Sequence, residues 1–239
     1  PIQNDAAIKY EIPEAEVIAS GLITSAMYVN DGVSDDTETD MSTEYSYLLD
    51  LAIKKRDEIQ AEYNKINRKI RPLVIIQFLD SSNRYIEEVE YYLKEKGYSY
   101  ENGFAAKWLS EEKINIENIE APNATPVFLL WKQALSTGWD CPRAKILVKL
   151  RDNMSDSFEI QTIGRIRRMP EARHYANELL DNCYMYTFDE EWKEKALKDP
   201  SAFETRRVLI KEEGRELILT REVRDSSSNN FGEREVREI

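Results

Sequence analysis

The chain has 239 residues and a mass of 27.9 kDa, with 41% hydrophobic and 33% charged side chains, enough to bury a sizeable core in one large domain or a domain with appendages. Two cysteines (Cys141, Cys183) and one histidine (His174) exclude a disulfide scaffold, a Cys/His zinc module and any His-cluster metal site, and no apolar run approaches the roughly 18 residues of a membrane span, so a cytoplasmic setting is expected. The formal charge of −12 is concentrated in residues 1–50, where Lys9 stands against eleven acidic residues; the rest of the chain holds 32 basic and 34 acidic side chains and can still present a local basic stripe to phosphates.

Residues 1–29 carry short apolar stretches, Ile18 to Ile23 and Ala26 to Val29, without a helical repeat, and read as an extended arm that needs a partner surface. Asp31 to Asp40, with four aspartates, a glutamate and a glycine, reads as a solvated connecting loop. From Ser42 or Thr43 to about Ile70, the apolar positions Leu48, Leu49, Ala52, Ile59, Tyr63, Ile66 and Ile70 recur at threes and fours. That spacing predicts an amphipathic helix of about seven turns, ended by Arg71-Pro72. The period then changes. Leu73 to Leu79 is a continuous β-favouring run, the pattern of a strand buried on both faces of a parallel sheet. Asp80-Ser81-Ser82-Asn83 supplies N-cap chemistry for a helix through Lys96, with Gly97 as its C-terminal cap.

Further strands are predicted at Phe104 to Leu109, Pro126 to Trp131, Lys145 to Leu150 and Cys183 to Phe188, with a helix at about 157–167. Strands alternating with helices predict an open α/β sheet, in which ligands gather at the carboxyl ends of the strands. The loops after Phe78, Trp131 and Leu150 are therefore where chemistry is sought. Beyond Phe188 a charged helical stretch runs to about Lys198, residues 206–224 suggest a hairpin or two short strands, and the Ser/Asn run at 226–230 reads as a loop. With Pro1 as its first residue, the sequence reads as a piece of a longer polypeptide.

Two segments concentrate polar chemistry. Lys132 to Pro142 follows a predicted strand and packs Ser136, Thr137, Gly138 and Asp140 into five positions. Gln161 to Arg168 reads Gln-Thr-Ile-Gly-Arg-Ile-Arg-Arg, and between Gln161 and His174 four arginines face one glutamate. Arginines three apart on a helix share a face, so Arg165 and Arg168 are candidates to converge on one multiply charged anion through forked donors, with Gly164 allowing another backbone to approach.

The pattern Gln-x-x-Gly-Arg-x-x-Arg at 161–168 resembles motif VI of superfamily-two helicases, and Ser136-Thr137-Gly138-Trp139-Asp140 resembles motif V at the separation found in the second RecA-like domain. The strand at 73–79 with its Ser/Asn-rich exit looks like motif IV. The Gly-Trp-Asp-x-Pro wording, the Arg-Met-Pro after motif VI and the Tyr-x-Tyr-Thr-Phe strand look most like the Res (restriction) subunits of type III restriction-modification systems. The likeness covers roughly residues 70–190.

That resemblance implies an α/β fold: a RecA-like open, mainly parallel sheet with helices on both faces. It divides the chain into a connector arm (1–42), a second RecA-like domain (43–190) and a C-terminal extension (191–239). It implies ATP and Mg2+, held mainly by a first RecA-like domain, with Arg165 and Arg168 reaching across as arginine fingers and Gln161 assisting near the γ-phosphate. Gly138, Asp140 and Gly164 would face the nucleotide, Asp140 toward the ribose hydroxyls. Ser136, Thr137 and Ser81 would hydrogen-bond DNA phosphates. The implied partners are double-stranded DNA, a DNA-methylating modification subunit and the first RecA-like domain itself. The 239 residues contain no Gly-x-x-x-x-Gly-Lys-Ser/Thr loop and no Asp-Glu-x-His box, so this chain by itself is expected to hydrolyse nothing. Glu191-Trp192-Lys193, without an upstream Pro-Asp, reads as helix surface rather than a nuclease site.

Other readings stand beside these. The arginines could form surface ion pairs, Asp140 could be a plain loop residue, and Ser81 could be only a helix cap. Trp108, Trp131 and Trp139 read as core, Cys141 as structural, and His174 as a surface or phosphate-side group. A non-catalytic phosphate- or nucleic-acid-binding module, and a different superfamily-two repair helicase, are the rival functions.

Overall fold

A computed structural model of the chain describes residues 12–32, 41–78, 83–132, 139–150 and 162–189. The chain is an α/β protein built on a seven-stranded sheet. In sequence order its elements are α1 (Glu14–Ala19), β1 (Met27–Val29), α2 (Met41–Lys65), β2 (Leu73–Phe78), α3 (Asn83–Glu95), β3 (Ala105–Trp108), β4 (Lys113–Ile114), β5 (Phe128–Trp131) and β6 (Ala144–Leu150). The helical residues 162–166 (α4), a 3₁₀ turn at Pro170–Ala172, α5 (Glu178–Asp181) and β7 (Cys183–Thr187) follow.

The strand order is β1-β7-β6-β2-β5-β3-β4, and every pairing is parallel except the β3/β4 hairpin. All six residues of β2 are buried, Gln77 among them, as expected of a mostly apolar strand covered on both faces. Alternation sorts the side chains. Val74, Ile76, Phe78, Phe128, Leu130, Ile146 and Val148 join one cluster with Leu48, Leu49, Ala52, Ile59 and Tyr63 of α2 and Val89 and Leu93 of α3. Leu73, Ile75, Leu129, Trp131, Ala144 and Leu147 join the other with Ile163 and Ile166 of α4. Because the strands are parallel, the carboxyl ends of β2, β5, β6 and β7 lie along one edge of the sheet.

The helix caps explain where the chain turns. At the end of α3, Gly97 has φ +90°, its N–H bonds to the Lys94 carbonyl at 3.0 Å and that of Tyr98 to the Leu93 carbonyl at 2.8 Å, the expected glycine cap. α2 closes the same way one motif earlier than the sequence reading placed it. Asn67 takes φ +54°, with Asn67 N–H on the Asn64 carbonyl (3.0 Å) and Arg68 N–H on the Tyr63 carbonyl (2.9 Å). The helix therefore stops at Lys65, and Ile66, read as part of the apolar face, is exposed.

The N-terminal segment departs from the expected extended arm. Pro13 starts α1, Gly21 (φ +76°) follows its last turn, and β1 pairs in parallel with β7 as an edge strand of the main sheet. Its partner surface is the domain itself. Asp31, at the start of the acidic segment, pairs with Lys55 of α2 at 2.9 Å. Residues 33–40 of that segment, and everything after Asp189, including Glu191 to Lys193 and the readings at 206–230, lie outside the described residues. No helix among the described residues is long and apolar enough to cross a membrane.

Candidate functional site

The last residue of β5, Trp131, is fully buried, and Trp139 opens the next described segment with 7% exposure. Ile163 and Ile166 of α4 face the core, which turns Gly164 and Arg165 outward at the same sheet edge. The Arg165 guanidinium carbon lies over the Trp131 ring and over the Trp139 ring, 5.8 Å from each centroid. The Trp139 ring in turn meets that of Trp108 edge-on, at 6.3 Å and 83°. Burial, and then the neighbouring positive charge of Arg168, push the Arg165 pKa down from its ordinary value. A guanidinium starts so high that it stays charged.

Arg168 donates from Nη1 to Asp140 Oδ2 at 2.7 Å, with both side chains about half exposed. The two motif-like segments, Trp139-Asp140 and Gly164 to Arg168, thus meet. They meet on a different backbone from the one expected. The helix ends at residue 166, and Arg168 lies beyond it in a short antiparallel bridge with Ile23. Arg165 and Arg168 are neighbours in charge without sharing a helix face. At Gly164 no protein backbone stands close: a Cβ there would meet nothing within 4 Å, and the space above it is open.

The remaining arginines of the basic stretch are tied down. Arg167 pairs with Glu14, and Arg173 pairs with Glu171 at 3.2 Å. The N-terminal segment fixes the backbone here: Thr24 N–H bonds to the Arg167 carbonyl at 2.6 Å and Met169 N–H to the Leu22 carbonyl at 3.0 Å. His174 Nε2 lies 2.7 Å from the Ile18 carbonyl, so the histidine tethers α1. Gly21 is pressed against the chain at 172–173, where a Cβ would come within 2.6 Å of the Arg173 Cα.

Two further buried groups lie in this region. Cys141 is buried, its thiol pushed up to about 11 chiefly by desolvation, so it is protonated at neutral pH and no nucleophile. Lys145 of β6 is fully buried and donates to Met169 Sδ at 3.4 Å; burial pulls its pKa down to about 8, against the attraction of Cys183 and Asp181.

Of the sequence-derived candidates, Arg165, Arg168, Asp140 and Gly164 are brought together. Gln161, Ser136, Thr137, Gly138 and Ser81 lie outside the described residues. Among the described residues no group of three or more His, Cys, Asp or Glu side chains could hold a metal ion. Trp131, Trp139 and Glu14 were missed as partners of the arginines. Trp139 adjoins Asp140 and could have been suspected from that neighbour; Glu14, far away in sequence, carried no local signal.

No protein-family model matches the chain, and no curated protein does.

Proposed function

We propose that this chain is the second RecA-like half of an ATP-driven superfamily-two DNA translocase, most similar to the Res subunit of a type III restriction enzyme. The observation that carries this is the ion pair between Asp140 and Arg168. It joins the motif V-like and motif VI-like segments at the carboxyl edge of a mainly parallel sheet, where open α/β folds bind ligands. The residues present fit a triphosphate: two arginines whose charges interact, one of them half exposed, beside a glycine with open space above it.

In that role the phosphate loop and the Mg2+ ligands belong to the first RecA-like domain, and Mg2+ would supply charge neutralisation between the phosphates. The contribution of this chain is two guanidinium groups. Arg165 and Arg168 would donate to the equatorial oxygens of the transferred phosphoryl group, where negative charge gathers as the bond to the leaving oxygen lengthens. Fingers of this kind are worth roughly 10³–10⁵ in rate, about 4–7 kcal/mol at 1.36 kcal/mol per decade. The Asp140 pair does not hold Arg168 back. A pair this exposed is worth about 0–1 kcal/mol, so a phosphate can displace the carboxylate and leave Asp140 to accept from the ribose hydroxyls. Gln161, Gly138, Ser136, Thr137 and Ser81 keep their proposed parts from the resemblance alone, as do double-stranded DNA and the modification subunit as partners.

The test is DNA-stimulated ATP hydrolysis by a polypeptide carrying this domain together with its phosphate-loop domain, compared with Arg165→Ala and Arg168→Ala. Each variant is expected to bind ATP and to lose roughly three orders of magnitude or more in kcat. Variants that hydrolyse ATP like the parent would make a phosphate-docking module the better account.

A further inference from the structure

We infer that Trp131 and Trp139 are positioning residues for Arg165, their two indole faces holding its guanidinium at the carboxyl edge of the sheet. This rests on the finger role proposed above. Both rings stand 5.8 Å from the guanidinium carbon, inside the roughly 6 Å within which an aromatic face attracts a cation.

The two rings reach Arg165 from different segments of the chain. Trp131 ends β5 and is fully buried among the residues of the lower sheet face, so its position is set by the parallel ladder with β2 and β3. Trp139 belongs to the segment that follows β5 and makes a T-shaped contact with Trp108. Its indole Nε1 is buried without a hydrogen-bond partner, so what this indole contributes here is its π surface. The dipeptide Trp139-Asp140 therefore places both arginines: the ring takes Arg165 and the carboxylate takes Arg168.

The choice of an aromatic holder has a chemical reason. A long arginine side chain loses rotamer freedom when fixed, and a stack restricts it before the substrate arrives. A π face contacts the guanidinium through its plane rather than through its N–H groups.

The decisive experiment has two arms. In the ATPase of the polypeptide that carries both motor domains, Trp139→Leu is expected to lower kcat roughly 3- to 30-fold with KM for ATP nearly unchanged, and Trp139→Phe to restore most of the rate. In the second arm, the chain labelled with 5-fluorotryptophan gives one ¹⁹F resonance for each of its four tryptophans. Arg165→Ala is expected to shift the two belonging to Trp131 and Trp139, assigned by Trp→Phe replacement. Loss of rate in Arg165→Ala with full kcat in Trp139→Leu overturns the positioning role and leaves the finger standing. Full rate in Arg165→Ala removes both. Should Trp139→Leu fail to fold, the fluorine arm decides alone, and unmoved resonances for both indoles overturn the proposal.

Discussion

At the scale of single residues, two glycines at the candidate site call for opposite outcomes. Gly21 has φ +76°, and a Cβ would stand 2.6 Å from the Arg173 Cα and 2.9 Å from the Ala172 carbonyl oxygen, backbone atoms that cannot move alone. Gly21→Ala is expected to cost about 1–3 kcal/mol, read as a lower denaturation midpoint. Gly164 is helical, exposed and faces open space. Gly164→Ala is expected to leave stability unchanged or raise it by about 0.5–1 kcal/mol, because alanine is the better helix former. If the space above Gly164 belongs to the nucleotide, the same variant lowers the ATPase rate without lowering the melting temperature. A loss of both would place Gly164 in the packing instead.

Lys145 makes a residue-scale prediction with a definite sign. Its pKa falls from 10.5 in the unfolded chain to about 8 in the fold, because burial penalises the charged form. Below pH 8 both states hold the proton and the cost of burying the charge is fully present. Between about 8 and 10.5 the unfolded chain binds a proton the folded chain has released, so this group makes stability rise with pH. The size is about 3 kcal/mol, from 1.36 kcal/mol for each factor of ten. Lys145→Met is therefore expected to be more stable than the parent near pH 7, with the gap narrowing toward pH 10 in denaturant titrations. A gap that does not change with pH would mean Lys145 does not lose its proton in the fold.

At the scale of elements, the N-terminal segment is the structural surprise, and one ion pair reports its grip. Glu14 is 5% exposed and pairs with Arg167 between the two finger candidates. Removing one partner leaves the other desolvated and uncompensated, so Glu14→Gln is expected to cost about 1–3 kcal/mol. A double-mutant cycle with Arg167→Met is expected to show coupling of about 0.5–3 kcal/mol, and strict additivity would place the pair in solvent. The strands of the central sheet were legible because Leu73 to Phe78, Phe128 to Trp131 and Ala144 to Leu150 are mostly apolar, β-favouring runs, the pattern of strands covered on both faces, interrupted only by Gln77, Lys145 and Lys149. β1, β4, α1 and α5 span three, two, six and four residues, too short for any period to emerge. β1 and α5 are held by long-range pairing, Met27 on Cys183 and Ala26 N–H on Asn182 Oδ1, and β4 by its hairpin with β3, Lys107 on Ile114. The early stop of α2 had its signal in Asn67, overlooked because Arg71-Pro72 was the louder breaker. In the site, the arginine cluster was visible in the sequence but its shared helix face was not realised, because the helix ends at residue 166; the indole stack was not visible, since it joins residues 26 to 34 positions apart through the fold.

At the scale of the whole molecule, the response to alkali follows from where the phenols and thiols sit. Tyr63, Tyr100, Tyr175, Tyr184 and Tyr186 all have pKa values raised above 10.0, in each case first by desolvation, with Tyr175 pushed up to about 12. Cys141 and Cys183 are raised above 9.0 by the same cause. A group whose folded pKa is raised contributes stability that is fully present below its unfolded pKa and is lost as pH climbs through the folded value. The thiols therefore begin to destabilise the fold above about pH 9 and the phenols above about pH 10, against the opposite slope from Lys145 between 8 and 10.5. The two trends oppose each other above about pH 9, and above about pH 10 the phenols add to the loss, so together these groups make the fold less stable as pH climbs past 10. The check is a pH titration that follows tyrosinate absorbance together with far-ultraviolet circular dichroism. The three buried phenols, Tyr63, Tyr184 and Tyr186, are expected to ionise in one step with loss of the helical signal, after the exposed tyrosines have titrated gradually. If all 13 tyrosines titrate smoothly near pH 10 while the helices persist, the surroundings of Tyr63, Tyr184 and Tyr186 are wetter than their burial implies.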